Sequence, residues 1–468
     1  MTGRHTCGAS VTNGCRICGV FDPVQTGIPC GLFRIPGLQD AAAASFERNV
    51  DLSNIAIIGA GAAGMMSAIL IAEQGHAVTV FEQNERIGKK LYITGKGRCN
   101  FTNACTRDTF LASVIDNPRF LYSAYDTMDS DAVIEFFENH GMRTKVERGN
   151  RAFPASDKSA DVIDTLRDAM KRAGVKVRLG CRVLSILAEE GKVTGLVVKS
   201  SDEEAERTLR FDRVIVATGG LSYPSTGATG DGLRFARELG LRVTPTSPSL
   251  VPIECGERYC AEMQGLSLRN VELHIKSGKK EVFREFGEMM FTHFGVTGPL
   301  ILTASAKIGQ MIGKKELRVY IDLKPAVSEE KLDDRLLRLF AENRNKDVQN
   351  VVSELYPAKM LPVILALSGI EPGKKVHDIT KGERLAIIQM TKRFPLTFER
   401  LRGYNEAVIT KGGVSVREID PGSMEAKKTA GLHFIGEVLD VDALTGGFNL
   451  QIAWCTAAQC AKAIGPNV

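Results

Sequence analysis

The chain has 468 residues, 44% of them hydrophobic and 25% charged, and a formal net charge of +5. Such a length corresponds to about three domains, and the composition is that of an ordinary soluble globular protein able to bury a sizeable core. So small a positive excess, with both signs mixed along the chain, argues against a dedicated nucleic-acid surface.

Residues 1–52 are rich in Gly, Pro, Thr and Ala with little periodicity, and read as a poorly ordered extension rather than a domain. The eleven cysteines are scattered, which suits reduced thiols better than a disulfide framework. Only Cys7, Cys15, Cys18 and Cys30 cluster. Their irregular spacing makes a four-thiolate zinc site the weaker reading, and no metal is expected at the functional site. Without a signal-peptide pattern or a second long apolar run, the expected setting is the cytoplasm, with no membrane insertion.

The chain is organised around Asn54 to Glu82. The apolar run Ile55-Ala56-Ile57-Ile58 predicts a strand, Gly59-Ala60-Gly61-Ala62-Ala63-Gly64 a tight turn into a helix, and Ala77–Phe81 a second strand ending at Glu82. Strand, glycine turn, helix and strand within ~30 residues is the context in which G-x-G-x-x-G binds a dinucleotide. Gly59 permits the turn, Gly61 lets backbone approach a pyrophosphate, and Gly64 lets helix and strand pack closely. An acidic residue at the end of the second strand is placed for ribose hydroxyls, which gives Glu82 that role. A membrane span over Ile55–Ala72 is the competing reading, and the embedded glycines and following strand oppose it.

Arg86 to Asn103 shows no helical or strand period, and reads as a packed glycine- and lysine-rich loop covering an anionic cofactor. Cys99 within it is a packing residue in preference to a redox thiol. Amphipathic helices are predicted over Ser130–His140 and Asp161–Ala173, followed by strands at Lys176–Leu179, Arg182–Leu187, Val193–Lys199 and Arg207–Phe211. Arg213–Thr218 reads as a buried parallel strand, ending in Gly219-Gly220. The prolines between Leu241 and Glu254 suit a domain crossing. A β-rich insert is expected over 246–325 and a helical one over 326–399, led by a helix at Ser328–Asn343 with Ser328 as its N-cap. Leu432–Glu437 is a short strand, and a helix through Ala463 follows glycines that would face a cofactor. The nucleotide domain is therefore discontinuous, 53–245 with 400–468, and the fold class is α/β.

GAGAAG, GKGRCNFTN, ATGG with YPSTGATGDG, FTHFGVTGP and GE…TGGFNLQIAW stand in this order over residues 53–465. In this the chain resembles the bacterial NAD(P)/FAD-dependent oxidoreductases of the aminoacetone-oxidase and bile-acid-inducible reductase type. The resemblance implies a glutathione-reductase-type FAD domain carrying a barrel-like insert and a helical insert. It places Gly59, Gly61, Ala62, Ala63 and Gly64 at the pyrophosphate, Glu82 at the adenosine ribose, Gln83 among the cofactor-binding residues, and Val183 at the adenine. It sets Lys90, Gly95, Arg98, Cys99 and Asn100 along the FAD, Gly219 near the diphosphate, and Glu437 where the family more often has a ribityl-binding aspartate. Gly447, Asn449 and Leu450 meet the isoalloxazine. Lys96 stands where the family loop more often has glycine, which puts the local backbone conformation in question.

The activity implied is FAD-dependent oxidation–reduction on a small molecule. The leading expectation is NAD(P)H-linked reduction of a conjugated C=C bond in an oxo-steroid such as a 3-dehydro-bile acid, with NAD(P)H a transient donor. Ser222, Tyr223 and His293 are hydrogen-bond donor candidates. The alternatives are oxidation of an aminoacetone-like amine by O2 and flavin-dependent RNA modification. The catalytic residues and the oligomeric state are not specified by the sequence.

Overall fold

The computed structural model describes residues 53–466. The extension 1–52, with Cys7, Cys15, Cys18 and Cys30, lies outside the described residues.

The first half of the fold is built on β1 (Asn54–Ile58), α1 (Ala62–Ala72), β2 (Ala77–Phe81), α2 (Ser159–Arg172), β3 (Lys176–Arg178), β4 (Arg213–Val216), β5 (Leu432–Phe434) and α3 (Phe448–Ile464). The five strands form one parallel sheet in the order β5-β4-β1-β2-β3. Ile55, Ala56 and Ile57 are fully buried, as a strand covered on both faces requires. The recruitment of β5 from near the other end of the chain makes this unit discontinuous, as the sequence indicates. A three-stranded antiparallel meander (Cys181–Glu189, Lys192–Ser200, Arg207–Arg210) stands between β3 and β4.

The apolar run Ile55–Ala72 that invited a membrane reading divides into β1, the glycine turn and α1, a helix only eleven residues long. Helix α1 is buried nearly all round, against α2 and α3, and an all-apolar helix is the physical requirement of that position. Among the described residues no helix is long and apolar enough to cross a membrane.

A second core gathers the residues between the two crossings of the chain. Its seven-stranded antiparallel sheet runs, in spatial order, 394–396, 318–322, 267–277, 280–292, 295–297, 253–255, 398–401. The two edge strands, Phe394–Leu396 and Phe398–Leu401, are separated in sequence by Thr397 alone. The sheet must therefore curl back on itself, which gives it a barrel-like form. Helices Glu329–Glu342, Val348–Val352, Leu361–Leu367 and Lys381–Lys392 pack into the same core through residues such as Leu336, Val352, Ile364 and Ile387. Ser328 caps the first of them, its hydroxyl accepting from the Lys331 N–H. Strand Ser247–Ser249 pairs with Ile409–Lys411, and so the outgoing and returning crossings lie side by side.

Candidate functional site

A cleft of about 1430 Å³, counted to its open mouth, runs along the C-terminal ends of β1, β2 and β4. Its lining takes in the glycine turn, Glu82, Val183, Glu437 and Leu450. At its centre the Gly59 N–H donates to the Phe81 carbonyl at 2.8 Å, and the residue sits at φ +103°, where a side chain is strained. A Cβ at Gly59 would lie 2.6 Å from the Ala217 carbonyl oxygen, and one at Gly64 would lie 1.9 Å from that of Gly59. These two glycines are demanded by the protein's own packing. Gly61 is different. Its missing Cβ would meet nothing within 4 Å, since it faces the open cleft. No side chain caps α1, which leaves first-turn N–H groups at Ala62 and Ala63 turned to the cleft and open to an anion.

Glu82 is buried at the end of β2. Its Oε2 accepts from the Ala60 N–H at 2.9 Å, and its Oε1 from the Asn84 N–H at 2.9 Å and the Asn84 side chain at 2.7 Å. A carboxylate so fixed retains acceptor capacity for hydroxyls. The Gln83 amide donates to the Gly227 carbonyl at 2.6 Å and holds loop 224–227 over this end. Val183, from the meander, lines the same end.

At the other end Lys90 Nζ meets Glu437 Oε2 at 2.7 Å. Glu437 Oε1 accepts from the Thr410 N–H at 2.9 Å. The Thr410 hydroxyl oxygen accepts from the Leu221 and Ser222 N–H groups at 2.7 and 3.1 Å, and its own proton is thereby directed to Ser222 Oγ at 2.8 Å. Ser222 in turn donates to Glu437 Oε1 at 3.4 Å. The returning crossing is thus stitched to the floor of the cleft. α3 points its uncapped N-terminus here, with Gly447 at φ +98° and with Asn449 and Leu450 lining the wall.

Twelve of the residues expected at the cofactor line the cleft: Gly59, Gly61, Ala62, Ala63, Glu82, Gln83, Lys90, Val183, Gly219, Glu437, Asn449 and Leu450. Asn449 turns its amide inward, exchanging bonds with Ala443 at 2.9 and 2.7 Å, which fixes the turn before α3. Gly64, Gly95, Arg98, Cys99, Asn100 and Gly447 are not part of the lining. Arg98 lies over the Phe153 ring at 4.3 Å, and its Nε donates to Asp157 at 2.9 Å. Cys99 is fully buried and burial pushes its thiol up to about 12, which fits packing rather than thiolate redox chemistry. The stretch expected to be a featureless loop holds a short helix, Lys89–Ile93, then a 3-10 turn in which Gly95 and Lys96 are both left-handed, at φ 61° and 57°. Lys96 therefore takes up a conformation that glycine adopts freely.

Of the donor candidates, Ser222 is fully buried and engaged beneath Glu437, and His293 is exposed on the insert. Tyr223 is half-buried, and desolvation together with the charge of Glu406 pushes its phenol up, which keeps it protonated. Two residues that sequence reasoning missed matter here. Thr410 had no motif around it, and Thr218 Oγ1, in the cleft wall, is buried without a hydrogen-bond partner among the described residues. An orphaned hydroxyl of this kind is satisfied by a bound polar group. With Gly61 and the two uncapped helix starts, it makes the cleft fit an FAD.

Parallel sheet, glycine turn, strand-end glutamate and a discontinuous second half with an insert define a Rossmann-type FAD-binding oxidoreductase. The chain belongs to the HI0933-like Rossmann-domain family, which it matches over residues 53–463. It is 30% identical to the 3-dehydro-bile acid delta(4,6)-reductase of Clostridium scindens, over 88% of this chain and 99% of that one. It is 31% identical to the ribosomal RNA dihydrouridine synthase of Escherichia coli, over 87% of this chain and 96% of that one. The Haemophilus influenzae ribosomal RNA dihydrouridine synthase is 30% identical, over 87% and 97%.

Proposed function

We propose that the chain is an FAD-dependent reductase that saturates a carbon–carbon double bond conjugated to a carbonyl. The observation that carries this reading is the chemistry shared by relatives at matching identity. A delta(4,6)-reductase of a 3-oxo bile acid and a dihydrouridine synthase each add two hydrogens to a double bond activated by a neighbouring carbonyl. When bound, FAD supplies the hydride chemistry, and the protein's part is binding, orientation and proton supply. The N-terminus of α1 would hold the pyrophosphate, Glu82 the adenosine ribose, and the Lys90–Glu437 pair, backed by Thr410 and Ser222, the polar chain between the two rings. Thr218 has a free hydroxyl for the same cofactor. Tyr223, protonated at neutral pH, is the donor candidate for the proton that must accompany a hydride. Among the described residues one glycine turn of this kind is present, so NAD(P)H would act as a transient donor rather than a second resident dinucleotide.

The substrate expected from sequence is an oxo-steroid enone, and the bile-acid reductase supports it. A uridine in ribosomal RNA is the second reading, supported by the two synthases, and it reopens nucleic-acid binding despite the mixed charge. The test is anaerobic. FAD-loaded protein is reduced with NADH or NADPH, then mixed separately with a 3-oxo-delta-4 steroid, ribosomal RNA from cells lacking the enzyme, and aminoacetone. Reoxidation with a product two hydrogens heavier identifies the acceptor. Reoxidation by oxygen alone, with aminoacetone able to reduce the oxidised protein, would replace a reductase by an amine oxidase.

A further inference from the structure

One cluster in the insert, far in sequence from the cofactor motifs, has no part in the reading above. Strand Ile253–Cys255 ends at a bulge, where its pairing with Phe398–Leu401 slips between Glu254 and Cys255. The chain then turns through Glu257 into the short helix Tyr259–Glu262, the Cys260 N–H donating to the Glu257 carbonyl at 3.2 Å. This turn brings Cys255, Glu257 and Cys260 together, with one donor atom from each lying within 4.8 Å of the others. Cys260 is buried and neither thiol is in a disulfide. Glu399, on the adjoining edge strand, completes the surround, its Oε1 lying 2.8 Å from where a Cβ on Gly256 would be.

Two features separate this group from two cysteines that merely pack. Glu257 Oε2 is buried and has no hydrogen-bond partner among the described residues, a costly state for a carboxylate oxygen. Glu399 adds a second carboxylate beside the two thiols and Glu257, so four acidic groups are pressed together at one turn. A cation would relieve both conditions.

We propose that Cys255, Glu257 and Cys260 form a zinc site, with Glu399 or water as fourth ligand. Two sulfurs with one or two carboxylates match the mixed donor set zinc accepts, whereas magnesium and calcium take oxygen alone and Cu(I) favours sulfur. Zn–S bonds of about 2.3 Å and Zn–O bonds of about 2.1 Å place tetrahedral donors roughly 3.4 to 3.8 Å apart. Closing from the present spacing takes side-chain adjustments of about 1 Å. Binding is balanced as one zinc ion taken up and two thiol protons released, the carboxylate already being ionised. The ion would tie the end of strand Ile253–Cys255 to the helix after it and to the edge strand by which the chain leaves the insert. That role is structural.

The experiment uses the FAD-loaded full chain carrying Cys7, Cys15, Cys18 and Cys30 all changed to serine, so that those thiols contribute nothing. Metal analysis after incubation with zinc and desalting is expected to find one zinc per FAD. Cobalt(II) in its place is expected to give the near-ultraviolet thiolate-to-cobalt charge-transfer band, a signature that needs no further variant. Cys255→Ser or Cys260→Ser should abolish both while leaving the flavin spectrum intact, and Glu257→Gln should weaken zinc roughly tenfold or more. Failure to take up zinc, zinc retained by Cys255→Ser, or an intact mass two hydrogens lighter from a Cys255–Cys260 disulfide would each overturn the proposal.

Discussion

The glycine turn offers a way to separate what the fold needs from what the cofactor needs. Gly61→Ala adds a methyl group where nothing lies within 4 Å, at φ −85° and ψ −168°, a conformation open to alanine. Alanine lowers the entropy of the unfolded chain, which favours the folded state by about 0.4–1 kcal/mol, and at an N-cap it is disfavoured by a similar amount. Stability of the flavin-free protein should therefore change by no more than about 1 kcal/mol. The methyl occupies the space through which a pyrophosphate approaches the first turn of α1. Loss of one charge-assisted N–H bond costs about 2–3 kcal/mol, or roughly 30- to 150-fold in Kd for FAD. Gly64→Ala is the control, because its methyl would lie 1.9 Å from the Gly59 carbonyl oxygen. It must push α1 off the turn and should destabilise the flavin-free protein by about 1–3 kcal/mol or more. Urea unfolding of the deflavinated proteins and fluorescence titration with FAD measure the two quantities. A Gly61→Ala protein that binds FAD as wild type does, or that loses stability like Gly64→Ala, would refute the assignment of the two glycines.

Lys96→Gly should gain about 0.5–1 kcal/mol, since the strain of a left-handed lysine outweighs the entropy of a glycine there; a lower urea midpoint would contradict this. Burial, opposed by Lys411 whose Nζ lies 3.6 Å away, pushes the Asp442 carboxyl up to about 7. The folded state therefore binds this proton more tightly than the unfolded chain, whose value is about 3.9. The stabilisation is complete below that value and is lost as pH rises through about 7, by at most about 4 kcal/mol. Asp442→Asn should flatten this fall between pH 4 and 7 in urea melts, and an unchanged slope would reassign the loss to other groups. Tyr223→Phe should slow substrate reduction about 100-fold at unchanged FAD affinity, and unaltered turnover would remove Tyr223 as proton donor.

What the sequence made legible is what the backbone itself dictates. β1, α1 and β2 follow from an apolar run, three glycines and a second apolar run, and Glu82 follows from its place at the strand end. Helix Glu329–Glu342 was readable because Leu332, Leu336 and Phe340 repeat at helical spacing behind a serine cap. Lys89–Ile93 was not, for five residues are too few to show a period. The edge strand Phe394–Leu396 carries Pro395, which argues against a strand anywhere except at an edge. Thr410 and Thr218 come from elements almost 200 residues apart, each a single hydroxyl made significant only by the fold. Cys255 and Cys260 stand at a C-x4-C spacing within the range zinc sites use, but no second pair follows it, and only the bulge and one helical turn show that Glu257 joins them.

The division of the molecule into two cores explains why the cofactor cleft was legible while the insert was not. The glycine turn, Glu82 and the start of α3 all stand on the first core, whose parallel strands fix the cleft to within the thickness of a methyl group. The second core is built from other residues altogether and meets the cleft through the paired crossings, where Thr410 braces Glu437. Substitutions inside the insert can therefore reshape its surface without moving the groups that face the pyrophosphate. Relatives alike in identity to this chain, one acting on a bile acid and another on ribosomal RNA, are what such an arrangement permits. For the cofactor cleft to persist, the insert need only keep its own core filled and return Thr410 to the same place.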